Sequence, residues 1–300
     1  MKSNTLKQGK KLKKISNYSD LAVEFSKKLV QGKDYVKVVN KQSKFVTTTY
    51  IDVTSEQAEK TLDRQMGSYV SIDLPFNPVS QNLCEDEVVR EIKKGLSYVL
   101  NKEFENKPNS VLVVGLGNPN MVADCFGSKV VQRIMVTRHA IKSGFKQEKL
   151  AEVSKISCNV FGKTGIESFD IISGVVEKIR PDLVILIDTL VAESPKRLCR
   201  NIQIANVGIV PGSGVDNARK ALNKKTLKTK VITIGVPFVV YAENICAKNG
   251  KLKTGSPSNL IVMPREIEGQ IKFCANSVAS GINQVLNPNL SPEMIETFFD

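Results

Sequence analysis

The sequence contains no tryptophan, a single histidine and no long apolar segment. No uninterrupted apolar run approaches the roughly 20 residues that cross a bilayer, which argues against a membrane-spanning helix. The lysine-rich first residues are not followed by the apolar region of a secretory signal. Because His139 is the sole histidine, a histidine-rich metal site is excluded, and no second histidine is left for a catalytic triad. We therefore expect a cytoplasmic protein without a membrane partner.

The sequence also lacks any C-x-x-C pair, and the spacing of its six cysteines matches no zinc template. In a reducing compartment such cysteines are expected to be free and mostly buried thiols. A nucleophilic pair of Cys125 and His139 would have to meet across about four helical turns, and a partly buried structural histidine is the simpler interpretation. We predict neither a metal nor another cofactor.

Positive charge is in excess, with a formal net charge of +13. Residues 1–15 contain six lysines and no acidic residue. A basic surface suits a partner associated with nucleic acid, but a basic tail on a mildly basic body explains the charge equally well. Because no basic patch is interleaved with aromatic residues, we expect no direct nucleic-acid binding.

The composition, 41% hydrophobic and 24% charged over 300 residues, is typical of a globular protein with a sizeable core. Residues 1–17 are predicted to be a disordered basic arm or pro-segment. Residues 18–300 are predicted to form one α/β domain, with a smaller β-rich extension at about 35–75. From residue 111 onward strands and helices alternate, which predicts a mostly parallel central sheet with helices on both faces.

The hydrophobic periodicity places the individual elements. Helices are predicted over residues 20–30, 56–66, 84–105, 127–142, 167–179 and 264–285, and strands over residues 35–39, 45–53, 69–74, 111–116, 153–160, 182–187, 201–205 and 231–236.

Two of these strands are each followed by an aspartate. Asp124 lies in the loop after the apolar strand 111–116, and Asp188 is predicted at the carboxyl end of strand 182–187. Because ligands of open α/β sheets gather outside the carboxyl ends of parallel strands, we predict that Asp124 and Asp188 face one crevice and form the active site. Each aspartate could instead cap a helix, since a predicted helix follows shortly after each.

Two glycine motifs resemble phosphate-binding loops but do not complete the pattern. Gly115-Leu116-Gly117 would need a third glycine at position 120, which is Asn120. Gly162-Lys163-Thr164 would need a glycine at position 157, which is Ser157. We interpret the second motif as a turn in which Thr164 and Glu167 form a capping box for the helix 167–179.

A third glycine-rich stretch, residues 207–215, is a candidate substrate loop. Gly212, Ser213 and Gly214 in this stretch could present backbone N–H groups to a bound peptide, and a plain turn is the alternative.

Seven short motifs, spread over most of residues 18–286, carry a family resemblance. They are V-V-G-L-G-N (113–118), D-C-F-G-S-K (124–129), T-R-H (137–139), T-G-I-E-S (164–168), I-D-T-L (187–190), P-G-S-G-V (211–215) and M-P-R-E-I (263–267). With these motifs the chain resembles the spore germination protease family, aspartic endopeptidases that degrade small acid-soluble spore proteins.

The resemblance implies a site, a fold and a mode of activation. The family's two catalytic aspartates fall on Asp124 and Asp188, and its core resembles that of the hydrogenase-maturation proteases. Members are made as zymogens and are homotetramers, so a homotetramer in the spore core is expected. Residues 20–24 match the family's maturation region, which implies that processing cuts between Asp20 and Leu21.

Two other functions stay open. A metal-dependent endopeptidase of the maturation type would use both aspartates to hold a divalent ion, and carboxylate ligands alone favour a hard ion such as Mg²⁺ or Ca²⁺. An RNA-acting hydrolase of the peptidyl-tRNA type would use V-G-L-G-N-P (114–119) and T-R-H (137–139), which resemble that family's motifs but lie farther apart here. Hydrolysis of a charged tRNA would separate this last function from peptide hydrolysis.

Overall fold

The computed structural model describes residues 19–26, 36–62, 64–75, 85–144, 150–212, 219–248 and 260–296. The predicted basic arm 1–17 lies outside them. The strands are β1 (Val36–Gln42), β2 (Thr47–Val53), β3 (Gly67–Asp73), β4 (Ser110–Gly115), β5 (Glu152–Ser157), β6 (Leu183–Ala192), β7 (Asn201–Ala205), β8 (Lys230–Tyr241) and β9 (Ile261–Val262). The helices are α1 (Ala22–Ser26), α2 (Glu56–Leu62), α3 (Glu85–Glu103), α4 (Phe126–Gln132), α5 (Arg138–Lys142), α6 (Phe161–Thr164), α7 (Ser168–Ile179), α8 (Lys224–Leu227), α9 (Ala242–Lys248), α10 (Ile267–Leu286) and α11 (Pro292–Glu296).

One mixed sheet organises these elements. Its strand order is β1-β2-β3-β7-β8-β6-β4-β5, and the short β9 pairs with β8. Strands β8, β6, β4 and β5 run parallel to one another, whereas β1, β2, β3, β7 and β8 are successively antiparallel. The predicted α/β class with a parallel core is confirmed, and the β-rich extension is an antiparallel continuation of the same sheet.

Helices cover both faces of the sheet, as predicted. On one face, α3, α4 and α10 pack against alternate strand residues such as Val113 and Ile185. On the opposite face, α7 packs against Leu112 and Leu186, while α1 and α2 cover the antiparallel half. Because side chains alternate across a strand, a strand buried on both faces is apolar throughout, which explains the sequences of β4 and β6.

The predicted helix 127–142 is two helices, α4 and α5. The connection between them is tied to the neighbouring strand, because the hydroxyl of Thr137 donates to the carbonyl oxygen of Ala151 and accepts from the N–H of Val153. The predicted capping box at Thr164 is wrong, since the Thr164 hydroxyl accepts from the N–H of Ile166 instead.

Two strands run farther than their sequences predict. β6 continues to Ala192 and β8 to Tyr241, so Asp188 lies inside β6 and not at its carboxyl end. Pro237 does not end β8 because the register between β6 and β8 shifts beside it, at Leu190/Val191. Proline is tolerated at such an irregularity because its missing N–H breaks no regular ladder bond there.

Candidate active site

A cavity of about 790 Å³ lies at the centre of the sheet. Residues of β3, β7, β8 and β6 line it, together with the loop after β4 and residues 207–212. Three aspartates contribute to its lining: Asp20, Asp124 and Asp188. The structure therefore brings the two predicted site aspartates to one cavity.

The backbone of the loop after β4 packs closely against Asp124 and so fixes the position of its side chain. Gly117 has a φ of +93°, and a Cβ at this position would lie 2.7 Å from Oδ1 of Asp124. The backbone N–H of Asn118 donates to Asp124 Oδ2 at 2.8 Å. Asp124 ends a short 3₁₀ helix, and the N-cap of α4 is Cys125, so Asp124 does not cap that helix.

Asp188 lies at the point where β6 loses one of its two neighbours. The pairing of β6 with β4 ends at Ile187, opposite Gly115, whereas its pairing with β8 continues. The carboxylate of Asp188 accepts the backbone N–H of Thr189 at 2.9 Å. This bond stays within the strand, so the helix-capping alternative does not describe Asp188 either.

Three glycines hold the Asp124 loop against the strand of Asp188. A Cβ at Gly127 would lie 2.5 Å from the carbonyl oxygen of Ile187, and a Cβ at Gly115 would lie 2.6 Å from the carbonyl carbon of Gly127. The N–H of Leu116 also donates to the carbonyl oxygen of Ile187 at 2.9 Å. Gly115 and Gly117, which resemble part of a dinucleotide loop, thus serve backbone packing around the aspartates.

Burial raises the pKa of both carboxyl groups. The pKa of Asp188 lies well above its usual value, first because the group is buried and then because Asp124 and Asp20 carry like charge; the N–H of Thr189 acts in the opposite direction. Burial also raises the pKa of Asp124 against the lowering effect of the Asn118 N–H. Two carboxyl groups in this relation favour a state in which one keeps its proton.

Asp188→Asn should make the protein more stable than wild type at neutral pH. Because the pKa of Asp188 is raised by folding, folded wild type holds a proton that the unfolded chain has lost, and its stability falls as pH rises from about 4 through the raised pKa. Asp188→Asn lacks this loss of stability, because the asparagine side chain does not ionise. Urea unfolding at about pH 4 and about pH 7 should show a stability gain only at the higher pH; an equal difference at both would contradict the raised pKa.

The residues before and within α1 are built into the same cavity. Asp20 lines the cavity, and Leu21 is fully buried. The N–H of Asp20 donates to the carbonyl oxygen of Val191 at 2.9 Å, and the N–H of Val191 donates to Asp20 Oδ2 at 2.8 Å. The predicted processing bond between Asp20 and Leu21 therefore lies at the site that contains Asp188.

Sequence reasoning missed Gln203, a buried polar residue of β7. The strand register aligns Gln203, Gly235 and Asp188 across β7, β8 and β6. Its Nε2 donates to the carbonyl oxygen of Asp20 at 3.0 Å, and its Oε1 accepts the N–H of Ala22 at 2.7 Å. The signal in the sequence is faint: a polar residue between two isoleucines of a short strand.

The predicted substrate loop reaches the cavity as far as the structure describes it. Gly208 and Gly212 both line the cavity, and Gly212 has a left-handed φ of +73°. Paired backbone bonds between Ile209 and Leu222 hold the loop in place. The other two predicted residues of this loop, Ser213 and Gly214, lie outside the described residues.

His139 and Cys125 have separate surroundings. His139 is exposed on α5, so the prediction that it is partly buried is wrong. Cys125 is buried, donates to the carbonyl oxygen of Val122 at 3.3 Å, and has a thiol pKa raised by burial, which disfavours the reactive thiolate. Four described cysteines are free and buried, as predicted: Cys125, Cys158, Cys199 and Cys274.

Within the described ranges, no helix is both long and apolar enough to span a membrane. The same residues contain no group of three or more histidine, cysteine, aspartate or glutamate side chains that could hold a metal ion.

Comparison with known proteins gives consistent matches along the chain. The family model for germination protease matches residues 16–250. The germination protease of Clostridium acetobutylicum is 33% identical over 324 aligned positions, which cover 93% of this chain and 98% of that protein. That of Bacillus mycoides is 39% identical over 248 positions, covering 80% and 67%. A solved NiFe hydrogenase maturation protease, HycI from Thermococcus kodakarensis, has a TM-score of 0.32 at 15% identity and covers 61% of this chain and 97% of that chain.

Proposed function

Because the chain belongs to the germination protease family, we propose that it is an aspartic endopeptidase that begins the degradation of small acid-soluble spore proteins during germination. The observation that carries the aspartic mechanism is the placement of Asp124 and Asp188 at one cavity with both pKa values raised. We expect the enzyme to act in the spore core without a cofactor and as a homotetramer.

In this proposal the two carboxyl groups divide the chemistry by protonation state. The ionised group removes a proton from a water molecule, and the resulting nucleophile attacks the carbonyl carbon of the substrate. The protonated group donates a hydrogen bond to the carbonyl oxygen and later protonates the leaving amine. Because the pair titrates as a unit, neither aspartate is given a permanent role as acid or base.

Digestion of a purified small acid-soluble spore protein tests this function. Wild type that begins at Leu21, the form left by the self-cleavage proposed below, should cut at a few bonds, with an acidic residue before an apolar one, and mass spectrometry of the fragments should locate them. Asp188→Asn is the matched control, because it keeps the shape of the side chain. An intact substrate with wild type, or the same fragments from the variant, would contradict the proposal.

We further propose that the chain is a zymogen that cuts its own bond between Asp20 and Leu21. This bond lies beside Asp188, and Asp20 fills part of the cavity with a carboxylate whose charge raises the pKa of Asp188. Removal of residues 1–20 would take away that carboxylate, the two hydrogen bonds between Asp20 and Val191, and the lysine-rich arm. The cavity would then be more open and less negatively charged.

Full-length wild type should therefore acquire Leu21 as a new amino terminus during incubation at mildly acidic pH. The reason is that the carbonyl group of Asp20 is already held within the cavity of the aspartates. Amino-terminal sequencing over a time course checks this, with Asp188→Asn as the variant that should stay full length. Self-processing is wrong if wild type stays intact or if the variant is trimmed at the same rate.

A further inference from the structure

We propose that Gln203 positions the peptide bond for hydrolysis, by holding the backbone on both sides of that bond. The ligand class is a peptide, and Gln203 acts in the reaction through direct contact with the backbone groups beside the scissile bond. The proposal rests on the proposed function, because it assigns Gln203 a part in peptide hydrolysis.

The side chain of Gln203 holds residues 20–22 through two hydrogen bonds, which together are called the clamp. The amide group donates through Nε2 to the carbonyl oxygen of Asp20 at 3.0 Å and accepts through Oε1 from the N–H of Ala22 at 2.7 Å. These two backbone groups flank the bond between Asp20 and Leu21. A primary amide carries both a donor and an acceptor, so glutamine can satisfy both groups at once.

Gln203 and Asp188 lie two strands apart on the same face of the sheet. Gly235 separates the two residues in the register of the sheet, and strands lie about 4.8 Å apart, so the two backbones are about 10 Å apart. A Cβ at Gly235 would lie 2.5 Å from the side chain of Leu190, so the Leu190 side chain occupies the space above Gly235. On the far side, the backbone of Val191 pairs with Asp20.

The burial of Gln203 indicates that its side-chain amide is retained for the two hydrogen bonds that it makes. Gln203 is only 8% exposed, and its neighbours Ile202 and Ile204 in β7 are fully buried. A buried amide without partners costs about 1–3 kcal/mol, so an apolar residue would suit this strand better unless the two bonds matter. In the structure both ends of the amide are used on the segment that crosses the cavity.

The donor of the clamp lies where charge develops during hydrolysis. When water adds to the carbonyl carbon of residue 20, its oxygen becomes negative, and the Nε2–H of Gln203 stabilises it. The bond from carbon to the nitrogen of Leu21 then breaks, and that nitrogen takes a proton from the aspartate pair. The acceptor end holds the N–H of Ala22 and so keeps the leaving segment in line.

Two substitutions at Gln203 distinguish the role of the Nε2 donor from that of the Oε1 acceptor. Gln203→Glu keeps an acceptor for the N–H of Ala22 but presents a carboxylate to the carbonyl oxygen, whereas Gln203→Leu removes both functions. The reaction measured is self-cleavage of the full-length protein between Asp20 and Leu21, because residues 20–22 already occupy Gln203 there. Both variants should lose about 10²-fold in the first-order rate constant of this cleavage, the usual effect of removing one such donor.

The pH profile distinguishes positioning from a structural role. As pH falls, the carboxyl group introduced by Gln203→Glu gains a proton and can donate again, so this variant should recover activity relative to wild type while Gln203→Leu should not. Gln132→Glu, an equivalent change at an exposed position of α4, should behave as wild type throughout.

Hydrogen exchange of the Ala22 amide measures the clamp without turnover. In an Asp188→Asn background, Gln203→Leu should accelerate this exchange about fivefold, as expected for the loss of a bond worth about 1 kcal/mol, whereas Gln203→Glu should leave it protected. Core amides in β4 report that the fold is intact in all variants.

The combined outcomes separate this inference from the proposed function. If Ala22 exchange is unchanged in Gln203→Leu, or if both variants keep the wild-type rate and pH profile of self-cleavage while Asp188→Asn is inactive, the clamp is wrong and the peptidase stands. If Gln203→Leu accelerates exchange but Asp188→Asn cleaves itself as fast as wild type, the aspartate mechanism fails and the clamp stands.

Discussion

Replacing Asp124 or Asp188 by asparagine should lower the peptidase kcat by about 10²–10⁴-fold or more while the fold remains intact. Asparagine keeps an acceptor oxygen for the N–H of Asn118 in one case and of Thr189 in the other. It can neither take a proton from water nor return one to the leaving amine, so the acid–base step is lost. Initial rates on a small acid-soluble spore protein, with thermal unfolding of each variant, check this expectation.

A matched acidic residue controls for loss of charge. Asp170 is exposed in the first turn of α7, and Asp170→Asn should retain the wild-type rate. If either Asp124→Asn or Asp188→Asn keeps more than about a tenth of the wild-type rate, general acid–base catalysis by the pair does not account for the activity.

Gly127→Ala should both destabilise the protein and remove most of its activity. A Cβ at Gly127 would lie 2.5 Å from the carbonyl oxygens of Ile187 and Leu116. Both are backbone atoms, so no side chain can turn aside, and the Asp124 loop must move away from β6. Overpacking of this kind costs about 1–3 kcal/mol in unfolding free energy, and the same movement separates the two aspartates. Urea unfolding and kcat, measured on one preparation, test both effects.

Gly174 provides the contrasting substitution. It is exposed in α7, and a Cβ there would meet no atom within 4 Å. Gly174→Ala should therefore raise the unfolding free energy by about 1 kcal/mol, through helix propensity alone, with unchanged activity. If Gly127→Ala is as stable and active as Gly174→Ala, the close backbone approach does not hold the site together.

The sequence by itself determined the features that depend on neighbouring residues. The apolar runs of β4 and β6 identify strands buried on both faces, and the alternation after residue 111 identifies a sheet with a parallel core. The motifs around Asp124 and Asp188 predict the family, which the match over residues 16–250 confirms. These features can be predicted because the periodicity of apolar side chains and the glycines of a loop are properties of a short stretch of chain.

Tertiary structure alone decided which distant groups meet. β6 runs on past Asp188 because β8 continues to pair with it after β4 has ended, and no local pattern records the length of a partner strand. Gln203 reaches Asp20 across 183 positions of sequence, through a register that only the assembled sheet defines. Hydrogen bonds between such groups depend on their separation in space, whereas sequence patterns report only separation along the chain.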